Sequence, residues 1–232
     1  MSAIISNEIE TRIALVRDRV EIACKKVDRN PKEITIIGVS KRVEPERIAI
    51  AVQCGINNIA ENYIQEALTK IDSPTLQHLP VTWHMIGHLQ SNKVRACLNK
   101  FALIHSVDSM HIAEVISSES IKQNRVTDVL LEVKLDATAT KAGIDPSLAL
   151  EAASKMMELK GIRLRGLMGI APYCPHPEDA RSSFKCIHDL SLRMPNEALE
   201  VLSMGMSGDF EVAIQEGATH IRIGTAIFGE RQ

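Results

Sequence analysis

Lys41 closes the segment ITIIGVSK, an apolar run dense in β-branched residues. Such a run, bounded by polar residues, reads as a buried strand. Burying an unpaired ammonium is expensive. A lysine here therefore either marks the solvated end of the strand or is held there for its chemistry. Other reactive or ligand-binding residue types stand at the ends of similar runs: Glu61-Asn62, His84 with His88, His105 with Asp108, the stretch from Met204 to Gly208, and Arg222-Ile223-Gly224-Thr225. Ser207-Gly208-Asp209 opens a helical stretch, and a helix start offers unpaired N–H donors to an anion. Gly224 lets backbone approach a ligand closely, and Thr225 adds a hydroxyl. Asp209 would repel an anion there unless it points away as a helix cap. A phosphate cradle and a pair of plain glycine turns are both compatible with this pattern.

These residues need elements to position them. Apolar residues at Ile9, Ile13, Leu15, Val16, Val20, Ile22 and Ala23 follow helical spacing to about Lys26, and Asn30-Pro31 breaks the pattern. The chain then alternates. Strands are expected at ITIIGVSK, INNIAEN, VTWHMIGHL, FALIHSVD, DVLLEVKLD, IRLRGLMGIA, EVLSMGMSG and THIRIGTAIFG, all but the last followed by a helix or helical turn. Ser109 is placed to cap the helix MHIAEVISSESIKQN, and Gly55 to end the one before INNIAEN. Alternating strands and helices imply a parallel sheet. Eight units in 232 residues predict a single (β/α)8 TIM barrel over residues 1–232, with an additional N-terminal helix. A doubly wound open sheet is the rival. In a barrel, sites lie at the C-terminal strand ends, and loops after strands 7 and 8 often hold phosphate. Closure would set those loops beside strand 1 and its lysine. An amine facing a phosphate-anchored carbonyl can form a Schiff base, as in a class I aldolase with a sugar phosphate or in a pyridoxal phosphate (PLP) protein. Residue types and spacing leave both open.

Composition narrows the field. The formal charge of −2 carries no signature for nucleic acid or an anionic membrane. No apolar stretch is long enough to span a bilayer, and the N-terminus lacks the layout of a secretory signal. Five scattered cysteines, none in a C-x-x-C pair, argue against a disulfide framework or a zinc site and suit a reducing cytoplasm. The histidines accompany no H-E-x-x-H motif and read as ordinary hydrogen-bonding residues. Asp108 reads as a helix-start acid or cap, and Lys141 as a solvated rim lysine or a transient contact for an incoming cofactor.

The stretches VSK (39–41), AENYIQEALTKI (60–71), WHMIGHLQSNK (83–93), HSVDS (105–109), KAGI (141–144), RGLMGIAP (165–172), SMGMSGDFEVAI (203–214) and RIGTAIFGER (222–231) together resemble the YggS/PROSC family of pyridoxal phosphate homeostasis proteins. The resemblance runs in order from about residue 34 to the C-terminus. It implies a barrel like the N-terminal domain of alanine racemase, and PLP held as an internal aldimine on Lys41. By the same likeness Ser207, Gly224 and Thr225 contact the phosphate, Arg222 faces the pyridine nitrogen, and Asn62 and Met204 line the cofactor. An arginine stays protonated and can only donate to that nitrogen, which suits neither transaminase nor decarboxylase chemistry. Racemization would need a further acid/base, and Tyr63 and Tyr173 do not match the racemase tyrosine. The family reading is thus a cytoplasmic, monomeric PLP carrier without robust catalysis, buffering PLP or delivering it to PLP-dependent apoenzymes, with a weak amino-acid racemase as the alternative. The chain departs from many relatives in Arg42-Val43-Glu44-Pro45 after VSK, where they continue T-K-P, and in His88, where many have proline.

Overall fold

The eight predicted strand segments all form strands, but several are shorter than the apolar runs that announced them. The computed structural model describes residues 2–135, 142–194 and 200–230, so Lys141 lies outside the described residues. The strands are β1 (Thr35–Val39), β2 (Asn58–Glu61), β3 (Thr82–Met85), β4 (Leu103–Val107), β5 (Thr127–Val133), β6 (Ile162–Gly169), β7 (Val201–Ser203) and β8 (His220–Ile223). They pair in chain order, all parallel, and β8 returns to β1 through Thr35↔His220, Ile36↔Ile221, Ile37↔Arg222 and Gly38↔Ile223. That last pairing closes the barrel and excludes the open sheet.

Helices α1 (Ser2–Lys25), α2 (Pro45–Gln53), α3 (Ile64–Ile71), α4 (Val94–Cys97), α5 (Met110–Lys122), α6 (Ala149–Met157), α7 (Arg181–Leu192), α8 (Phe210–Gln215) and α9 (Thr225–Phe228) surround it. Ser109 caps α5 as expected, its hydroxyl accepting the Ile112 N–H at 3.4 Å. Beyond Cys54, the last cap of α2, Gly55 takes φ +87°, a left-handed value that glycine adopts without strain.

Two segments differ from expectation. EVLSMGMSG keeps only three strand residues, because Gly205 turns the chain at φ +89°. THIRIGTAIFG leaves the sheet at Ile223, and Thr225–Phe228 coil into a helical turn. A single turn is too little to cover β8. The gap is filled by α1, which packs on α2, α8 and α9 and buries Ile9, Ile13, Val16, Val20 and Ala23 along one stripe.

Strand alternation sorts side chains into two compartments. Outward residues such as Ile59, Ile104, Leu131 and Ile221 join the main core beneath the helices. Inward residues of the strands divide into an apolar cluster of Leu103, Leu130, Met168 and Val201 and a set of polar ones that includes His84, His105, Ser203 and Arg222, all buried.

Candidate functional site at the barrel mouth

Lys41 lies two residues past the end of β1, half-buried, with its ammonium 5.2 Å from the centroid of the Tyr63 ring. Among the described residues that ammonium makes no hydrogen bond or ion pair. Its turn, residues 40–43, is closed by the Val43 N–H donating to the Ser40 carbonyl at 2.9 Å.

The β7 and β8 loops meet beside it. The Ala226 N–H donates to Ser207 Oγ at 3.2 Å, joining the turn after β7 to the start of α9. Among the described residues the backbone N–H groups of Ser207, Gly208 and Thr225 have no hydrogen-bond partner, which leaves three donors and two hydroxyls on one rim. A Cβ added to Gly224 would lie 3.6 Å from the Val39 carbonyl oxygen, so this rim abuts the strand that carries Lys41. Asp209 does turn away: its carboxylate accepts the Met206 N–H at 2.6 Å. Burial raises its pKa despite that bond. Gly205 permits the turn sterically, since a Cβ there would come within 2.6 Å of the Ala213 Cβ.

Arg222 is buried inside β8. Its Nη1 donates to Ser203 Oγ at 2.8 Å and its Nη2 to the Gly169 carbonyl at 3.0 Å. Burial lowers its pKa to about 10, with Glu132 and Asp209 opposing the shift, so it stays protonated at neutral pH. From Ser203 a chain of hydrogen bonds crosses the barrel: Ser203 Oγ to His105 Nδ1 at 2.9 Å, His105 Nε2 to His84 Nδ1 at 3.0 Å, and His84 Nε2 to Asn58 Oδ1 at 3.0 Å. The Asn58 oxygen can only accept, so His84 donates from Nε2; with both rings neutral, His105 then donates from Nε2 to His84 Nδ1, and Ser203 Oγ donates to His105 Nδ1. Burial agrees, pushing His84 down to about 3 and His105 well below its usual value.

The seven sequence-predicted residues do not all converge. Lys41, Ser207, Arg222, Gly224 and Thr225 gather on β1, β7, β8 and their loops. Asn62, half-buried after β2, lines a cavity of about 360 Å³ with His88, Glu132 and Lys134. Met204 is fully buried in the main core, its backbone N–H donating to the His220 carbonyl. Asp108 does not cap α5, a role taken by Ser109; its carboxylate instead meets His88 Nδ1 at 2.6 Å. Sequence reasoning missed Glu132, whose carboxyl is pushed up to about 7 by burial and then by Asp108. The signal was one acidic residue at an inward position of the apolar run DVLLEVKLD.

The model of the alanine racemase N-terminal domain matches residues 19–232. A pyridoxal phosphate homeostasis protein of Aquifex aeolicus is 42% identical, over 95% of this chain and 97% of its own. The chain belongs to the pyridoxal phosphate homeostasis protein family. PipY of Synechococcus elongatus has a solved structure with PLP bound, similar at TM-score 0.82 and 34% identity, covering 95% of this chain and all of that one. An alanine racemase of Clostridium difficile shares the fold alone, at TM-score 0.73 and 11% identity, and this chain spans 57% of its length.

Proposed function

We propose that this chain binds PLP at Lys41 and serves PLP homeostasis rather than catalysis. The observation that carries the reading is a lysine just past β1 that, among the described residues, has no partner, beside a rim of N–H donors on the β7 and β8 loops that likewise have none there, with a buried arginine on the strand between. These residues fit the cofactor. When bound, PLP supplies an aldehyde that an amine can capture and a phosphate that anchors it. Lys41 provides the amine. Ser207, Gly208 and Thr225 donate backbone N–H groups, and two hydroxyls, to the phosphate. Gly224 keeps the space beside Val39 open. Arg222 still has unused N–H donors for the ring nitrogen and offers it no proton, which weakens the ring as an electron sink. Asn62 and Met204 enter the proposed set as lining residues by the family resemblance, Asn62 from the cavity after β2 and Met204 through its backbone, its side chain being in the main core. Recipient apoenzymes, a monomeric state and a cytoplasmic location belong to the same proposal. The five unpaired cysteines support a reducing compartment. Among the described residues no helix is long and apolar enough to cross a membrane.

The test is a visible spectrum of the protein with added PLP beside Lys41→Ala, each then reduced with borohydride and peptide-mapped. A yellow protein with a pyridoxyl adduct on Lys41, both absent from the variant, is the expected result. A wild type that stays colourless overturns it. Uptake of solvent deuterium at the Cα of added amino acids would restore the racemase reading.

A further inference from the structure

The turn that presents Lys41 is backed by a buried cluster of charge. Glu61 ends β2 and points outward beneath α3, a place where apolar side chains normally sit, yet it is 0% exposed. Its Oε1 accepts from Ser40 Oγ at 2.5 Å and from Lys70 Nζ at 2.6 Å, while its Oε2 is buried without a partner. Lys70, 6% exposed, also donates to the Ser40 carbonyl at 2.5 Å and to Glu66 Oε1 at 2.7 Å. Glu66 Oε1 in turn accepts the Arg42 backbone N–H at 2.5 Å. Both residues flanking Lys41 are thereby tied to one ammonium. The turn requires such ties, because Arg42 sits at φ +59°, a left-handed conformation that a non-glycine residue adopts only at a cost.

The charges matter as much as the bonds. Tyr63 on the loop after β2 and Glu66 on α3 face Lys41, Arg42 adjoins it on its own turn, and Glu61 and Lys70 stand behind that turn against Ser40. Burial raises the Glu61 pKa. In Glu66 burial also acts upward, but hydrogen bonds from Lys70 and the Arg42 amide, with the fields of Lys70 and Lys41, bring the net shift down. A carboxylate beside Lys41 favours its ammonium form, which cannot attack an aldehyde. Lys70 is the one buried cation that offsets both carboxylates among the described residues of this cluster.

We propose that Lys70 is a positioning residue for Lys41: it ties down the turn that presents the amine and offsets Glu66, the carboxylate whose field reaches that amine. This rests on Lys41 being the cofactor-capturing amine. A plain structural ion pair between β2 and α3 would leave the titration of Lys41 untouched.

The experiment labels the cofactor-free protein with trace acetic anhydride across the pH range of amine titration, reading acetylation of Lys41 by mass spectrometry. Lys70→Met is expected to shift the acetylation profile of Lys41 toward higher pH, with labelling at neutral pH about tenfold slower. Lys70→Arg, which keeps the charge, recovers most of that shift, and Glu66→Gln moves the titration the other way. A folded Lys70→Met with the wild-type titration overturns the proposal. Should Lys70→Met fail to fold, an unmoved titration in Glu66→Gln overturns it equally. PLP uptake by the wild type is followed separately by its visible absorption. Absent uptake refutes the cofactor reading, while the labelling still decides whether Lys70 governs Lys41.

Discussion

Glu132, His84 and His105 place titratable groups inside one barrel with opposite dependence on pH. Glu132 rises from 4.5 to about 7. The folded protein keeps its proton where the unfolded chain has lost it, so this contribution is full below 4.5 and disappears as pH rises through 7. The shift corresponds to about 3 kcal/mol. Glu132→Gln should therefore remove a fall in stability that runs between pH 4.5 and 7 in urea unfolding; an unchanged slope in that window would show that Glu132 does not titrate there. His84 falls from 6.5 to about 3. The unfolded chain takes up the proton first, so stability is full above 6.5 and is lost as pH falls, by about 2 kcal/mol near pH 5 for His84 alone. Maximum stability is expected just below neutrality. Lys41, Ser207, Gly224 and Thr225 stood out in the sequence in or just after strand ends, and Arg222 as a charge within an apolar strand, while their proposed roles come from the family resemblance. Lys70 did not stand out. With Glu66 four residues before it on a helix, it looks like any solvated i,i+4 pair, and only packing on β2 reveals that it is buried.

At the scale of elements, the apolar pattern located all eight strands but not their ends. TAIF is as apolar as the strand before it, and periodicity cannot separate a short strand from a helical turn. The break falls at Gly224, whose backbone angles (φ −104°, ψ −82°) belong to neither element. Gly205 makes the matching break after β7. Gly205→Ala would combine a left-handed φ with a Cβ 2.6 Å from that of Ala213. A loss of about 2 kcal/mol or more is expected in urea unfolding, with weaker PLP uptake because Met206 and Ser207 would be displaced. Retained stability would mean that the turn can rearrange. The role of α1 was legible only as a helix with one apolar stripe. That it stands in for the missing cover of β8 depends on the shortness of α9, which local sequence does not disclose.

For the whole molecule, alternation of strand and helix specified the order of elements, whereas closure depended on the register between β1 and β8. A PLP molecule captured by Lys41 and anchored by the β7 and β8 loops would bridge that same seam. PLP should raise the melting temperature of the wild type, still rising with the logarithm of its concentration once the site is filled, and leave Lys41→Ala nearly unmoved; equal rises in both would place the ligand elsewhere. The seam is also where α1 and α9, the helices furthest apart along the chain, pack against each other, with Arg12 donating to the Thr225 carbonyl at 3.3 Å. Seen as a mechanical object, the barrel is a hoop fastened at one clasp. Force applied by optical tweezers through α1 and α9 would load that clasp before any other strand pair. The cofactor would act as its pin, so rupture force, rather than colour, would report whether the pin is in place.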